Sequence, residues 1–290
     1  MAVPTPAPAK VNLFLHVGSL RADGYHLIES LVAFADIGDE LRFSPGGEGF
    51  SIRVEGRFAK DAGAPEKNLV LKAADALSRK LSGISGGEFL LTKNLPAGAG
   101  LGGGSSDAAA ALRMLAAENG LISAHPAILA AARETGADVA VCLEGKARFI
   151  TGIGDILSAP VSIPALPAVL VWPGAPASTP DVYRAFDEAE MKHSTPFGVQ
   201  REDIPTERDA FIEFLKKRSN DLTRAAWRVT PYVAEADAVL RAVDRTQLIR
   251  MSGSGSAVFA IYASLDEAEA EAKAVRDRYP NWWVKATTLR

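Results

Sequence analysis

Between Pro96 and Ala111 the chain reads PAGAGLGGGSSDAAAA, and five of the seven residues from Gly98 to Gly104 are glycine. Glycine lets a backbone reach positive φ and approach a ligand with no Cβ in the way. A helix that follows such a loop turns free N–H groups and the positive end of its dipole toward an anion. Ser105 and Ser106 stand where that helix needs a cap, so the segment has the outline of a phosphate cradle and points to a nucleotide.

Three loop classes share the outline. Gly98, Gly100 and Gly103 satisfy G-x-G-x-x-G, but a dinucleotide fold also needs a second strand ending in an acidic residue about twenty positions on. The chain offers Glu118 there, inside the helical run ALRMLAAENG. A Walker A loop ends in Gly-Lys-Ser/Thr, and this loop has no lysine. A plain strand-to-helix turn needs far fewer glycines.

Three further places could carry chemistry. In KVNLFLHVG, strand alternation sets Val11, Leu13, Leu15 and Val17 on one face and Lys10 with Asn12 on the other. Alone, Lys10 reads equally as a snorkelling edge lysine. Asp138 in GADVAVCL follows a helix stop, and alone it reads equally as the N-cap of the next element. The run MSGSGSAVF, Met251 to Phe259, is a second glycine-serine cluster ahead of a strand, open to reading as a bulge or turn.

The elements that must position these residues follow from periodicity and breakers. Helices are expected over Leu69–Leu81, Ser106–Asn119 and Pro126–Thr135, and strands around Leu41–Phe43, Phe50–Val54 and Phe89–Thr92. Turns are expected at Asp23-Gly24 and Gly38-Asp39. The proline-spaced stretch Ser158 to Gly174 reads as a passage into the first strand of a second domain. Residues 184–218 are charge-dense, with EFLKKR a surface helix. The helix PYVAEADAVLRAV, the strand SAVFAIYA, the helix LDEAEAEAKAVRDRY and the strand WWVKATTL then complete an alternating unit.

Composition narrows the class. The 290 residues allow two domains, and 48% hydrophobic with 23% charged residues is ordinary for a soluble globular protein. A net charge of −3 gives no footprint for nucleic acid or an anionic membrane. The one cysteine, Cys142, excludes an intrachain disulfide and fits a reducing cytosol. The first residues, MAVPTPAPAK, lack the basic start and apolar core of a signal peptide, so a cytoplasmic protein is expected. His16, His26, His125 and His193 are scattered, with no zinc-type spacing.

In order and wording these segments resemble the GHMP kinase superfamily nearly end to end. APAKVNLFLHVGSLRADGYHLIESLV carries P-A-K-x-N-L-x-L followed by R-x-D-G-Y-H. The lysine-free loop NLPAGAGLGGGSSDAAA, the motif GADVAVCL, Asn220-Asp221-Leu222 and the run SGSGSAVFA follow in turn. The resemblance implies an α+β, two-domain fold: a ribosomal protein S5 domain 2-like N-terminal domain over residues 1–160 and a ferredoxin-like C-terminal domain over residues 161–290. It implies transfer of the ATP γ-phosphoryl group, with Mg²⁺, to the 2-hydroxyl of 4-diphosphocytidyl-2-C-methyl-D-erythritol in the non-mevalonate route to isoprenoid precursors.

Carried over residue by residue, the resemblance makes Asp138 the base and Lys10 its neighbour, with Asn12 helping to hold Asp138 and substrate. Pro96, Ala97, Gly98, Ala99, Gly100, Leu101, Gly102, Gly103, Gly104, Ser105 and Ser106 wrap the triphosphate, Ser105 or Ser106 approaching the phosphates or Mg²⁺. Asn68 and Lys93 match positions near the adenine. Tyr25 and His26 match a cytosine-binding pair, with Thr179 and Tyr183 lining the same pocket. Ala99 replaces a common loop glycine, and Ala140 and Cys142 stand where many relatives have proline and an aromatic residue. Kinases of mevalonate, homoserine or sugars would share the loop, and DGYH separates this chain from them. A catalytically silent nucleotide-binding regulator would lack the base or the lysine, and both are present.

Overall fold

The computed structural model describes residues 3–189, 198 and 204–290. Contacts divide the chain into two compact units, residues 1–10, 37–97 and 102–145 in the first and residues 11–36, 98–101 and 146–290 in the second. Strands β1 (Thr5–Leu20) and β2 (His26–Pro45) are long enough for each to begin in one unit and end in the other.

In the first unit, the end of β2 pairs antiparallel with β4 (Gly87–Thr92), from Glu40↔Thr92 to Pro45↔Gly87, and β3 (Phe50–Glu55) runs parallel to β4. The crossover from β3 to β4 carries helix α1 (Leu69–Lys80), which packs on α2 (Gly103–Glu118) and α3 (Pro126–Thr135); the short α4 (Ala137–Cys142) packs on α2 and α3. Helix α1 starts where Asn68 Oδ1 accepts the Val70 amide at 2.9 Å, and Val70, Ala73, Ala74 and Leu77 form its buried face at helical spacing. Helix α2 buries Ala108, Ala109, Ala110 and Ala111 in succession, and small side chains let neighbouring helices come close.

The second unit contains β5 (Arg148–Thr151), β6 (Ile156–Leu157), β7 (Leu166–Trp172), α5 (Thr179–Glu188), α6 (Arg208–Lys216), α7 (Thr223–Val229), α8 (Tyr232–Arg241), β8 (Leu248–Met251), β9 (Val258–Ile261), α9 (Leu265–Arg278) and β10 (Trp283–Leu289). Strands β7 to β10 form an antiparallel sheet in the order β10-β7-β9-β8, the arrangement of a ferredoxin-like split βαβ. Strand β9, VFAI, is buried at every position. Helix α9 starts at Ser264, whose Oγ accepts from Glu267 N at 3.2 Å while Glu267 reaches back to Ala263 N.

Three sequence expectations change. Gly38-Asp39 is not a turn: β2 runs straight through it. A Cβ on Gly38 would lie 2.2 Å from Ala7 O, so this glycine permits close strand packing rather than chain reversal. Strand β1 is buried on both faces from Ala9 to Val17, so Lys10 is not a lysine snorkelling at a strand edge. Helix α2 begins at Gly103, with left-handed Gly102 as its N-cap, so Ser105 and Ser106 lie inside the first turn and cap nothing. Helix α6 is the expected surface helix: it buries Phe211, Ile212, Phe214 and Leu215 and exposes Glu213, Lys216 and Lys217. The rest of the charge-dense stretch, 190–197 and 199–203 with His193, lies outside the described residues.

Among the described residues no helix is long and apolar enough to cross a membrane. Nor does any group of three His, Cys, Asp or Glu side chains there form a site for a metal ion.

Candidate active site

The glycine loop alternates. Gly98, Gly100 and Gly102 take φ of +65°, +73° and +63°, a region that L side chains avoid, while Ala99 and Leu101 bury their side chains. The carbonyls turn inward: Gly98 O accepts from Ala177 N, Ala99 O from Ala257 N at 2.8 Å and Gly100 O from Ser252 Oγ at 2.8 Å. Among the described residues none of the amides from Gly98 to Ser105 donates to a protein acceptor. Amides left free along a loop of left-handed residues, ending on a helix N-terminus, form an anion-binding concavity. Gly103 and Gly104 are helical and need no special φ. Ser106 Oγ donates to Pro8 O at 2.7 Å, whereas no hydrogen bond involves the Ser105 hydroxyl among the described residues.

Lys10 and Asp138 meet. Lys10 Nζ lies 2.9 Å from Asp138 Oδ2; the lysine side chain is buried at 7% exposure and the aspartate is open at 43%. The lysine lies across Gly102, where an added Cβ would be 3.1 Å from Lys10 Cβ and 3.2 Å from its Cε. Asp138 stands in the first turn of α4 and is not its N-cap, which is Gly136. The far end of α4 is fixed by a residue that the sequence did not single out. Arg113, one of whose Nη1 bonds goes to Cys142 O at 3.0 Å, also donates Nη2 to Pro6 O. Cys142 is buried, and burial with the nearby Asp138 charge pushes its thiol up to about 12, which makes it a packing residue and not a nucleophile.

Asn12 sits in a net of serines. Its amide N donates to Ser252 Oγ at 3.1 Å, and its Nδ2 to Ser30 Oγ at 2.8 Å. Ser252 thus ties both Asn12 and Gly100, and Asn220 Nδ2 secures the same turn by donating to Met251 O at 2.8 Å and Gly253 O at 2.7 Å. This gives the SGSGS run a role as a clamp, and the asparagine of Asn220-Asp221-Leu222 is its brace.

Lys93 is enclosed between two carboxylates. Its Nζ pairs with Asp39 Oδ2 and, at 2.7 Å, with Asp107 Oδ2; all three side chains are buried. Asp39 also accepts the Leu95 amide at 2.7 Å. Burial, with the Asp39 charge adding to it, outweighs the attraction of Lys93 and raises Asp107 to about 8. Asn68 uses Oδ1 to start α1 and is nearly buried. Neither Asp39 nor Asp107 stood out in the sequence, because Asp39 read as a turn residue and Asp107 as part of a helix start.

The DGYH turn forms as expected. Gly24 has φ of +83°, Arg21 N donates to Tyr25 O at 2.8 Å, and Tyr25 projects at 60% exposure. His26 is held instead: Nδ1 lies 2.9 Å from Gly18 O, Nε2 lies 3.1 Å from Asp187 Oδ1, and the ring stacks on Tyr183 at 5.4 Å between centroids. Thr179, one turn earlier on α5, meets Ser254 Oγ at 2.7 Å. The structure brings His26 and Tyr183 together and places Thr179 against the clamp.

Comparison with known proteins matches residues 68–146 to the GHMP kinases N terminal domain and residues 211–281 to the GHMP kinases C terminal family. The chain is 46% identical over 286 residues to a 4-diphosphocytidyl-2-C-methyl-D-erythritol kinase of Methylorubrum extorquens, covering 98% of each chain. It is 44% identical to the kinase of the same name from Xanthobacter autotrophicus, again with 98% of each covered. A crystal structure of 4-(cytidine 5'-diphospho)-2C-methyl-D-erythritol kinase superposes with a TM-score of 0.80 at 34% identity, covering 99% of both chains. Homoserine kinase from Cytophaga hutchinsonii, at 21% identity and TM-score 0.71 over 99% of this chain and 94% of its own, shares the fold.

Proposed function

The chain belongs to the GHMP kinase family, and we propose that it transfers the γ-phosphoryl group of ATP to the 2-hydroxyl of 4-diphosphocytidyl-2-C-methyl-D-erythritol, a step in making isoprenoid precursors. The observation that carries the chemistry is the buried Lys10 ammonium at 2.9 Å from one oxygen of a half-open Asp138 carboxylate. Near-full-length identity to kinases of that name supplies the substrate.

Phosphoryl transfer asks mostly for positioning and charge neutralisation, with one group to take the hydroxyl proton. Lys10 holds Asp138 Oδ2, which fixes the carboxylate and leaves Oδ1 to accept that proton. As charge moves onto the attacking oxygen, the ammonium offsets it. The amides of residues 96–106 hold the triphosphate, and the αL glycines keep Cβ atoms out of its way. When bound with the triphosphate, Mg²⁺ would supply further neutralisation at the transferred group. The chain offers no carboxylate cluster of its own for the ion among the described residues, and Ser105 is the loop hydroxyl without a protein partner.

For the acceptor, Tyr25 is free to stack on the cytosine, and His26 with Tyr183 forms the wall beside it. A base-edge hydrogen bond from His26 Nε2 has to displace Asp187. Thr179 at the clamp and Asn12 complete the acceptor side; Asn68 and Lys93, whose buried side chains are taken up by Val70 N and by Asp39 and Asp107, reach the adenine only through their backbone. The two family segments, 68–146 and 211–281, fall on either side of residue 160, whereas contacts assign residues 11–36, 98–101 and 146–160 to the second unit. A cytoplasmic location accords with the single buried thiol.

A coupled assay with purified protein, ATP, Mg²⁺ and the cytidylated acceptor tests the reading. Asp138→Asn should fold and bind ATP yet lose turnover by roughly 10²–10⁴-fold, the usual scale of general-base catalysis. Ordinary turnover in that variant removes Asp138 from the role. Mevalonate or homoserine outperforming the cytidylated acceptor would overturn the substrate.

A further inference from the structure

Ser30 has one proton to give, and its surroundings fix where that proton goes. Its Oγ lies 2.6 Å from Phe14 O and 2.8 Å from Asn12 Nδ2, both contacts buried. A backbone carbonyl only accepts, so the hydroxyl proton is committed to Phe14 and the oxygen's lone pair faces Asn12. The amide must then present its NH₂ to Ser30 and turn Oδ1 the other way. There Oδ1 is buried and has no hydrogen-bond partner, on a residue only 5% exposed. A Cβ on Gly253 would lie 3.6 Å from that oxygen, an ordinary contact, so Oδ1 faces the turn of the clamp.

Native proteins rarely leave a buried acceptor unanswered, and those they do leave call for an explanation. Asn12 has no freedom to correct the mismatch by flipping. A flipped amide would set Oδ1 against a Ser30 oxygen with no proton left for it. The backbone of Asn12 is fixed too, by Ser252.

We propose that Ser30 is a positioning residue for this kinase: it locks Asn12 with Oδ1 as a fixed acceptor for a hydroxyl of the bound sugar alcohol. The inference rests on the reading of Asn12 as an acceptor-side residue.

The test uses the full-length enzyme with Ser30→Ala, Ser30→Thr, Asn12→Ala and the Ser30→Ala/Asn12→Ala pair, each assayed with ATP and the cytidylated acceptor. Ser30→Ala should lower kcat/KM for the acceptor about 3- to 10-fold, the loss of an ordinary hydrogen bond, with KM for ATP unchanged. Ser30→Thr keeps the hydroxyl and should restore the acceptor KM. In the Asn12→Ala background, Ser30→Ala should change kcat/KM by less than about twofold, because a residue that acts only through Asn12 has nothing left to act on. An equal loss with and without the Asn12 side chain overturns the proposal. If Asn12→Ala costs activity and Ser30→Ala costs none, the lock is refuted and the reading of Asn12 stands; if Asn12→Ala costs nothing, that reading fails and takes the lock with it. Should Ser30→Ala not fold, Ser30→Cys, whose thiol donates only weakly, carries the same comparison.

Discussion

Gly102→Ala tests whether the glycine loop also positions the catalytic lysine. The residue has φ of +63° and ψ of 17°, and an L side chain in that region costs about 1–2 kcal/mol. For a chain of this size 1 kcal/mol corresponds to about 2–4 °C, so Tm should fall by roughly 2–8 °C. The new Cβ would also lie 3.1 Å from Lys10 Cβ and 3.2 Å from Lys10 Cε. Those methylenes must give by a few tenths of an ångström, and the buried lysine carries its 2.9 Å contact to Asp138 with it. A 1 Å misplacement of a catalytic group costs about 10²-fold, so kcat should drop on the order of tenfold while KM for the cytidylated acceptor changes little. Gly104→Ala is the control, because Gly104 is helical and its Cβ would make only an ordinary 3.5 Å contact with Leu69 Cδ1. That variant should keep its kcat and its Tm, or gain in Tm, with any cost of its methyl to the bound triphosphate confined to KM for ATP. Thermal unfolding and steady-state ADP release read both variants. Full kcat in Gly102→Ala, or an equal loss in both, would refute the reasoning, the latter by showing that the loop acts only as open space for the nucleotide.

Three more outcomes follow from charge and exposure. Asp107 is raised from 3.8 to about 8, so between those values the folded chain holds a proton that the unfolded chain has released. That contribution stabilises the acid end of the window and is lost as pH rises through about 8, so Tm plotted against pH should be flatter for Asp107→Asn, with its largest gain over wild type near pH 8–9. A steeper profile would contradict it. Lys93→Met leaves the buried Asp39 carboxylate without its cation and should cost about 3–5 kcal/mol in urea unfolding. Tyr25→Ala should leave Tm unchanged, since the ring is 60% exposed, yet weaken the cytidylated acceptor roughly 5- to 150-fold with ATP affinity retained. Loss of Tm, or equal loss for both ligands, would return DGYH to a structural turn.

Much of this was legible because local chemistry and tertiary structure agree. Pro126 and Gly136 bracket α3 where the residue types place its ends, and the C-terminal strands and helices alternate as their apolar periods require. What failed did so where a residue serves a distant partner. Gly38-Asp39 has turn residues, yet the glycine is there for Ala7 and the aspartate for Lys93. Alternation in β1 gives Lys10 and Asn12 one face, but no local signal says that both faces are covered. Arg113 looks like any helix-surface arginine until its carbonyl partners at Cys142 and Pro6 appear. Ser105 and Ser106 resemble caps only as long as glycine is not considered as the N-cap itself.

The same distinction changes what the glycines mean. Gly98, Gly100 and Gly102 are required by φ, and a Cβ on Gly100 would also collide with Ser252 O at 2.4 Å; Gly103 and Gly104 are not required by φ. Ala99 therefore costs the loop nothing: it occupies the position between two left-handed residues, buries its methyl, and accepts from Ala257 through a carbonyl that any residue has. Loop rigidity comes from the clamp as much as from the loop. Ser252 holds the Gly100 carbonyl and the Asn12 amide with one hydroxyl, while Asn220 holds the backbone on both sides of that serine. Asn12, Gly100 and Ser252 lie far apart in sequence, and their fixed relation comes from that hydroxyl and not from glycine content. A substitution at Ser252 should thus disturb the phosphate loop and Asn12 together, whereas a change at Gly104 should disturb neither.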